Sequence, residues 1–532
     1  MPTFSWIDYA VVAIYLAITV AIGLAIGRRV STGADYFLAG RRLRWWLIGT
    51  SLVATDIGGT DIIGVGGAAH KYGLAVGNFE WIGCVPAMIV AAFIFIPFFW
   101  RAGVYTIPEF MERRFNVGVR SALALCWLLF MASNVGIMLF ASAKMFVTTV
   151  GLEIDAGPLA GHEITICLLV TAALVGVYTL AGGLAAVVYT DVIQCVVMIG
   201  GCLMVLVLGI VEVGGVGALV DRVQEIEQAR AAATAAAPAV SEHTSLILPV
   251  KTESPFPWPA ILIGLGMILS PAYWIGNQAI VQRSLGARSE FEAKAAYIWG
   301  ALLKNLIPLI IAVPGLIAFV RFPDLQDTDR AFPMLVATML PIGVKGLFLA
   351  AFAAALMSSI DSYLNSAATI LTNDLYRRFF RPDADGARLL FVGRMTTVAL
   401  LLWAIGFGLY VSQLKGSGIY TIFQTLMAFF QGPAFAILLA GLLWRRATGP
   451  AALVGFLGGV ATSIVLFTLN QGAICRWLHL KPLFQVREPY LYFSIWAFLV
   501  AAVLIIVVSL LTRPEPDEKV RGLMYRRSEA TS

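Results

Sequence analysis

The chain has 532 residues, 59% of them hydrophobic and only 13% charged, with 50 glycines, whereas a soluble globular domain carries roughly 25% charged residues. Its formal charge of +6 is scattered in short clusters between apolar runs and is not gathered on one face or tail, which argues against nucleic acid as a partner. This is the composition of a polytopic membrane protein whose solvent is the lipid bilayer, and apolar runs long enough for helical spans make the expected fold all-α.

At about 20 apolar residues per crossing, thirteen candidate spans begin near residues 7, 46, 76, 119, 164, 185, 257, 296, 343, 389, 419, 450 and 490. The first run has no basic residue before it and Arg28-Arg29 after it, the reverse of a secretory signal, so it reads as a retained span. Alternating the loops gathers Arg41, Arg42, Arg44, Arg101, Arg113, Arg114, Arg120, Arg283, Arg288, Lys294, Arg377, Arg378, Arg445 and Arg446 on one side. The positive-inside rule makes that side cytoplasmic, with the N-terminus outside and residues 513–532 a cytoplasmic tail. The longest loop, 213–256, is then external; its Ala-rich stretch is expected to be partly helical or mobile.

The second span contains "SLVATDIGGTDIIGVGG" (residues 51–67), in which Asp56 and Asp61 flank Gly58-Gly59. An aspartate at the centre of a membrane helix costs about 2.5–3.5 kcal/mol on insertion scales, so two in one span point to function. The seventh span, with "ILSPAYWIGNQ" (268–278), is long and interrupted in the same way. Paired interruptions at corresponding places in two halves suggest inverted repeats, with ion and substrate sites where unwound backbone exposes its carbonyls. The layout expected is an extra helix over 5–27, a first repeat over 46–212, the external loop, a second repeat over 257–446, and two further helices over 450–512. No soluble domain is visible.

The six cysteines show no metal-ligand spacing and read as small apolar packing residues. The chain has four histidines, no nucleophile with a base beside it and no Gly-rich phosphate loop, so an enzyme is not expected. Lys304 in the eighth span is harder to dismiss, because an intramembrane lysine usually lines a cavity or pairs with an acid. Lys144 lies nearer a span end, where snorkelling is the default.

"ADYFLAGRRLRWWLIGTSLVAT" (34–55), "YTIPEFMERRFN" (105–116), "VYTLAGGLAAVVYTDVIQ" (177–194) and "SSIDSYLNSAATILTNDLYRR" (358–378) together closely resemble the sodium/solute symporter family, in particular its sodium/glucose cotransporter branch. The resemblance runs from about residue 5 to 510. It implies a leucine-transporter-like core of two inverted five-helix repeats and a functional monomer that couples inward Na+ flow to uptake of a small solute by alternating access. A sugar or polyol is favoured. A substrate-gated sensor or leak on the same fold, or a symporter for an amine- or carboxylate-bearing solute, stays open.

By the same resemblance, the principal sodium site comprises the main-chain carbonyls of Ala54, Ile57 and Ala355 with the hydroxyls of Ser358 and Ser359. Asp191, in "YTD", stands where relatives place an acidic ligand for a second ion. Asp361 adds a carboxylate where relatives carry a neutral hydroxyl residue, and two buried carboxylates sharing a site must hold a cation or a proton. Asp191, Asp361 and Ser362 are therefore expected to form a second site for Na+ or H+.

Glu80, Tyr273, Trp274 and Lys304 match positions that contact or cover the solute in sugar-transporting relatives, with Tyr273 as the inner gate. A carboxylate and an ammonium can each hold sugar hydroxyls while the ring face stacks on an aromatic. Asp61, Ser270 and Thr425 depart from the sugar pattern, although Gln424 stands beside Thr425; Asp61 adds a negative charge to the pocket. Asp56 is expected either to bond the gate or to add to the cation field.

Overall fold

The computed structural model describes residues 4–27, 39–104, 106–154, 159–181, 184–233, 242–414, 418–477 and 481–524, the last stretch without 482, 485 and 487. The quoted 34–55, 105–116 and 177–194 motifs therefore lie partly outside the described residues, as do Arg28-Arg29, residues 234–241 of the long loop and the end of the tail.

The chain is helical almost throughout. The membrane-length or interrupted segments are α1 (Trp6–Gly27), α2 (Trp45–Asp56), α3 (Gly59–Tyr72), α4 (Leu74–Ala102), α5 (Val117–Val150), α6 (Glu163–Ala181), α7 (Leu184–Val213), α8 (Ala260–Gly276), α9 (Gln278–Leu285), α10 (Glu290–Arg321), α11 (Val344–Phe380), α12 (Gly386–Gln413), α13 (Ile419–Leu443), α14 (Gly449–Leu469) and α15 (Tyr490–Leu511). Among the described residues nine helices are long and apolar enough to span a membrane, or ten with the bent α8–α9 pair as one. The other expected spans correspond to α1, the α2–α3 pair and α6, which fall below that threshold through brevity, interruption or residues outside the description.

Both expected interruptions are present. α2 stops at Asp56 because Ile57 (φ −81°, ψ 65°) and Gly58 (ψ 178°) leave helical geometry before α3 resumes. α8 and α9 meet at Asn277 with a bend of 52°, and the Asn277 side chain accepts from the Ala279 amide at 3.0 Å, capping α9.

α2 packs along α10, α7 along α11, and α5 along α12, while α14 and α15 pair with each other and pack on α13, α15 also against α8. α1 lies against α11. There the buried carboxylate of Asp8 accepts from the amides of Gly343 (2.7 Å) and Gly346 (2.8 Å), capping the start of α11 from another helix.

Most of the basic residues collect at one end of the bundle, in contacts such as Arg101–Glu290, Arg378–Glu112 and Arg445–Asp517. Arg114 is fully buried there and donates to the carbonyls of Gly441, Trp444 and Ala447, which closes the C-terminus of α13. At the opposite end residues 242–256 pack onto the bundle: the His243 ring stacks on Phe319 at 4.2 Å and the His243 carbonyl accepts from the Leu74 amide. The long loop is thus helical over Val216–Ala233 and packed from 242 onward.

Two basic residues correct the sequence reading. Lys144 does not snorkel: its ammonium bonds Asp327 at 2.7 Å and Asp329 at 3.2 Å. Burial holds the Asp329 carboxyl above its ordinary range, and Lys144 offsets this only in part. Arg283, grouped with the basic loops, is 1% exposed inside the bundle.

Candidate functional site

The site grows from the break between α2 and α3. In a continuous helix the Gly58 amide would bond the Ala54 carbonyl and the Asp61 amide the Ile57 carbonyl. Here Gly58 N–H bonds Asp56 O (2.9 Å) and Asp61 N–H bonds Gly58 O (3.0 Å), so Ala54 and Ile57 carry carbonyls released from the helical ladder. α11 presses on this gap: a side chain at Gly59 would run into Phe352 and Leu356 within 2.7 Å. The Ser359 hydroxyl donates to the Thr55 carbonyl at 3.1 Å, and Ala355 is buried one turn before it.

Ser358 points elsewhere. Its hydroxyl bonds Asp191, whose other oxygen accepts from Ser51 at 2.5 Å. Into this cluster projects Arg283 from α9, donating to Ser51 (2.8 Å), Thr55 (2.5 Å), Ser362 (2.5 Å) and the Ala279 carbonyl, with Asp191 at 3.5 Å. Ser362 in turn donates to the Ser358 carbonyl at 2.7 Å. Asp361, 2% exposed, lies beside Thr179 and within electrostatic reach of Asp191 and Arg283. Asp191 and Ser362 therefore meet on a resident guanidinium, a partner that sequence reading missed. The only signal for it was the basic residue at the end of an otherwise apolar run.

On the α3 side of the break lies a cavity of about 40 Å³. Its polar wall holds Asp56, Asp61, Glu80, Ser270, Tyr273 and Gln424; its apolar wall holds Phe79, Leu265, Leu269, Tyr420, Phe423 and Met427. Close contact of α4 with α8 is made possible by Gly83, where a Cβ would stand 2.5 Å from Ser270 Oγ. Lys304 Nζ sits behind the polar wall, bonded to Glu80 at 2.8 Å and to Asp56, and 5.8 Å from the Trp274 ring. Asp56 is thus tied to the lysine. Trp274 and Thr425 do not line the cavity; Gln424 takes the place expected for Thr425.

Beneath the cavity Tyr273 Oη meets Tyr363 Oη at 3.1 Å, and Asn277 donates to Tyr363 at 3.3 Å, so the α8–α9 break is bonded to α11 through two phenols. On the other side Phe79 and Tyr420 meet edge-on at 5.1 Å. The cavity lies far below the about 300 Å³ at which small-molecule pockets begin. These side chains must separate to admit a solute larger than water.

Residues 36–459 match the sequence profile of the sodium:solute symporter family. Sodium/glucose cotransporter 4 of Homo sapiens is 32% identical over 550 residues, covering 97% of this chain and 78% of that protein. The sodium/glucose cotransporter of Vibrio parahaemolyticus is 33% identical over 486 residues, with 87% of this chain and 85% of that protein covered. Among solved structures, a Na+-coupled sialic acid symporter in a substrate-bound outward-open state aligns with a TM-score of 0.76 over 96% of this chain and 99% of that one, at 22% identity. The nucleobase-cation-symport-1 family transporter MHP1 aligns with a TM-score of 0.51 at 11% identity, over 92% of this chain and 99% of that one. The fold is the leucine-transporter-like one that the sequence led us to expect, Na+ is the co-transported ion, and the chain belongs to the sodium:solute symporter family.

Proposed function

We propose that this transporter imports a monosaccharide or polyol, that its principal sodium site is formed by Ala54, Ile57, Ala355, Ser358 and Ser359, and that its basic end faces the cytoplasm. The observation that carries the reading is the polar-and-aromatic cavity built directly against the released carbonyls of the α2–α3 break. Oxygen ligands at the break and solute hydroxyls on Glu80, Ser270 and Gln424 share α3 and its neighbours, so filling one site stiffens the wall of the other. That is the coupling free energy symport needs. The glucose-cotransporting relatives favour a sugar over other solutes.

Na+ at the break requires Ser358 to leave Asp191 and turn toward the Ala54 and Ile57 carbonyls. Sodium-driven uptake of sugars and polyols into proteoliposomes tests the reading, with a wild-type and a Ser358→Ala/Ser359→Ala protein side by side. Loss of a buried polar partner costs about 1–3 kcal/mol, so sodium affinity should fall roughly 5- to 150-fold per ligand. Uptake with unchanged sodium dependence in the double variant would refute the site.

Asp191, Asp361 and Ser362 form the second cation site in this reading, with Arg283 as a fixed positive charge inside it. Arg283 neutralises Asp191, which leaves Asp361 to carry the second Na+ or an H+. Asp361→Asn should alter either the pH dependence of uptake or the number of cations moved per solute. Identical pH profiles and stoichiometry would make Asp361 a structural acid.

A further inference from the structure

The cavity holds more acceptors than a neutral sugar needs. Glu80 is 9% exposed; its Oε1 is taken by Lys304, while Oε2 is buried without a hydrogen-bond partner among the described residues. Gln424, 5% exposed, likewise has a buried Oε1 with no partner. Asp61 lines the same cavity from the first turn of α3 and forms no ion pair among the described residues. Three carboxylates, Asp56, Asp61 and Glu80, thus line one cavity, and the single ammonium of Lys304 bonds only Asp56 and Glu80. Buried acceptors left unmatched are costly, and buried carboxylates more so.

We propose that the solute carries a protonated amine on its polyhydroxyl frame and that Asp61, together with Glu80 Oε2 and Gln424 Oε1, receives it. An ammonium is the group that fits: it supplies three donors and no acceptor, and brings the positive charge the wall lacks. Hydroxyls can use the donors that Ser270, Tyr273, Tyr420 and Gln424 offer, but they bring no positive charge to set against Asp61. A divalent cation on Asp56, Glu80 and Cys84, whose ligand atoms lie within 4.8 Å of one another, would have to displace the lysine ammonium already bonded to both acids. A zwitterionic amino acid is disfavoured because its carboxylate would meet this acidic wall.

This inference rests on sodium-driven sugar uptake, and the test separates the two. Purified protein in proteoliposomes is given glucose, 2-amino-2-deoxyglucose, N-acetylglucosamine and alanine, each with and without a sodium gradient, at a mildly acidic pH that keeps the amines protonated. The expected result is sodium-driven uptake favouring the free amino sugar over glucose and over the acetylated form by about tenfold or more. Losing one member of a buried charge pair should cost Asp61→Asn roughly thirtyfold in amino-sugar uptake and bring glucose level with it or ahead. Sodium-dependent thermal stabilisation of Asp61→Asn in detergent reports whether the variant is folded, and Asp61→Gln provides a second neutral replacement. Glucose taken up as well as the amino sugar, with the ratio unmoved by either variant, overturns the amine and leaves sugar symport standing. Alanine as the preferred solute overturns both, whereas sodium-driven uptake of none of the four overturns the amine and leaves sugar or polyol symport to the wider sugar and polyol uptake test.

Discussion

Replacement of Lys304 by methionine is expected to abolish sodium-driven uptake and to lower the melting temperature in detergent. The lysine is fully buried and bonds both Asp56 and Glu80. Removing one partner of a buried ion pair strands the others and costs about 3–5 kcal/mol. Here two carboxylates would be stranded, beside a third at Asp61. Neutralising the stranded acids in an Asp56→Asn/Glu80→Gln/Lys304→Met protein should recover most of the melting temperature without recovering solute binding, because Glu80 is assigned to both tasks. Fluorescence-detected size exclusion after a heat step measures the first quantity and uptake the second. A stable and active Lys304→Met protein would show that the three groups do not depend on one another.

Arg283 should prove as sensitive. Its guanidinium joins α9 to α2, α7 and α11 through Ser51, Thr55, Asp191 and Ser362. Lysine cannot reproduce this fork of donors, so Arg283→Lys should behave much like Arg283→Met. The methionine leaves Asp191 buried without its cation, and the lysine leaves Ser51, Thr55 and Ser362 without the fork of donors. Adding Asp191→Asn should then relieve part of the loss, and a double-mutant cycle on thermal stability should return a coupling of at least about 1 kcal/mol. Strict additivity would mean that the 3.5 Å approach of Arg283 to Asp191 carries no net interaction.

Much of what could be read in advance was set by local chemistry. Gly58-Gly59 between two acids in an apolar run marks a break whatever surrounds it, and the structure interrupts the helix there and again at Asn277. Glu80, Ser270, Tyr273 and Gln424 were expected at the solute site from the family resemblance, not from local chemistry, and all four line the cavity. Arg283 was not legible, because nothing near it in the chain distinguishes it from an interfacial arginine, and its partner Asp191 stands on another helix. Gln424 and Thr425 differ by one residue, about 100° of helical rotation. Which of them meets the cavity depends on how α13 is turned, and that is a property of packing.

The cap that Asp8 places on α11 makes a mechanical member of two helices that are far apart in the chain. α11 carries Ser358 and Ser359 towards its middle and is pinned at its first turn to α1 by the two amide bonds of Asp8. A rigid rod pinned at one end can swing about the pin but cannot slide along its axis. If Ser358 leaves Asp191 by axial travel of α11, the helix must drag α1 with it or break the pin; if it leaves by swinging, α1 stays where it is and serves as the fulcrum.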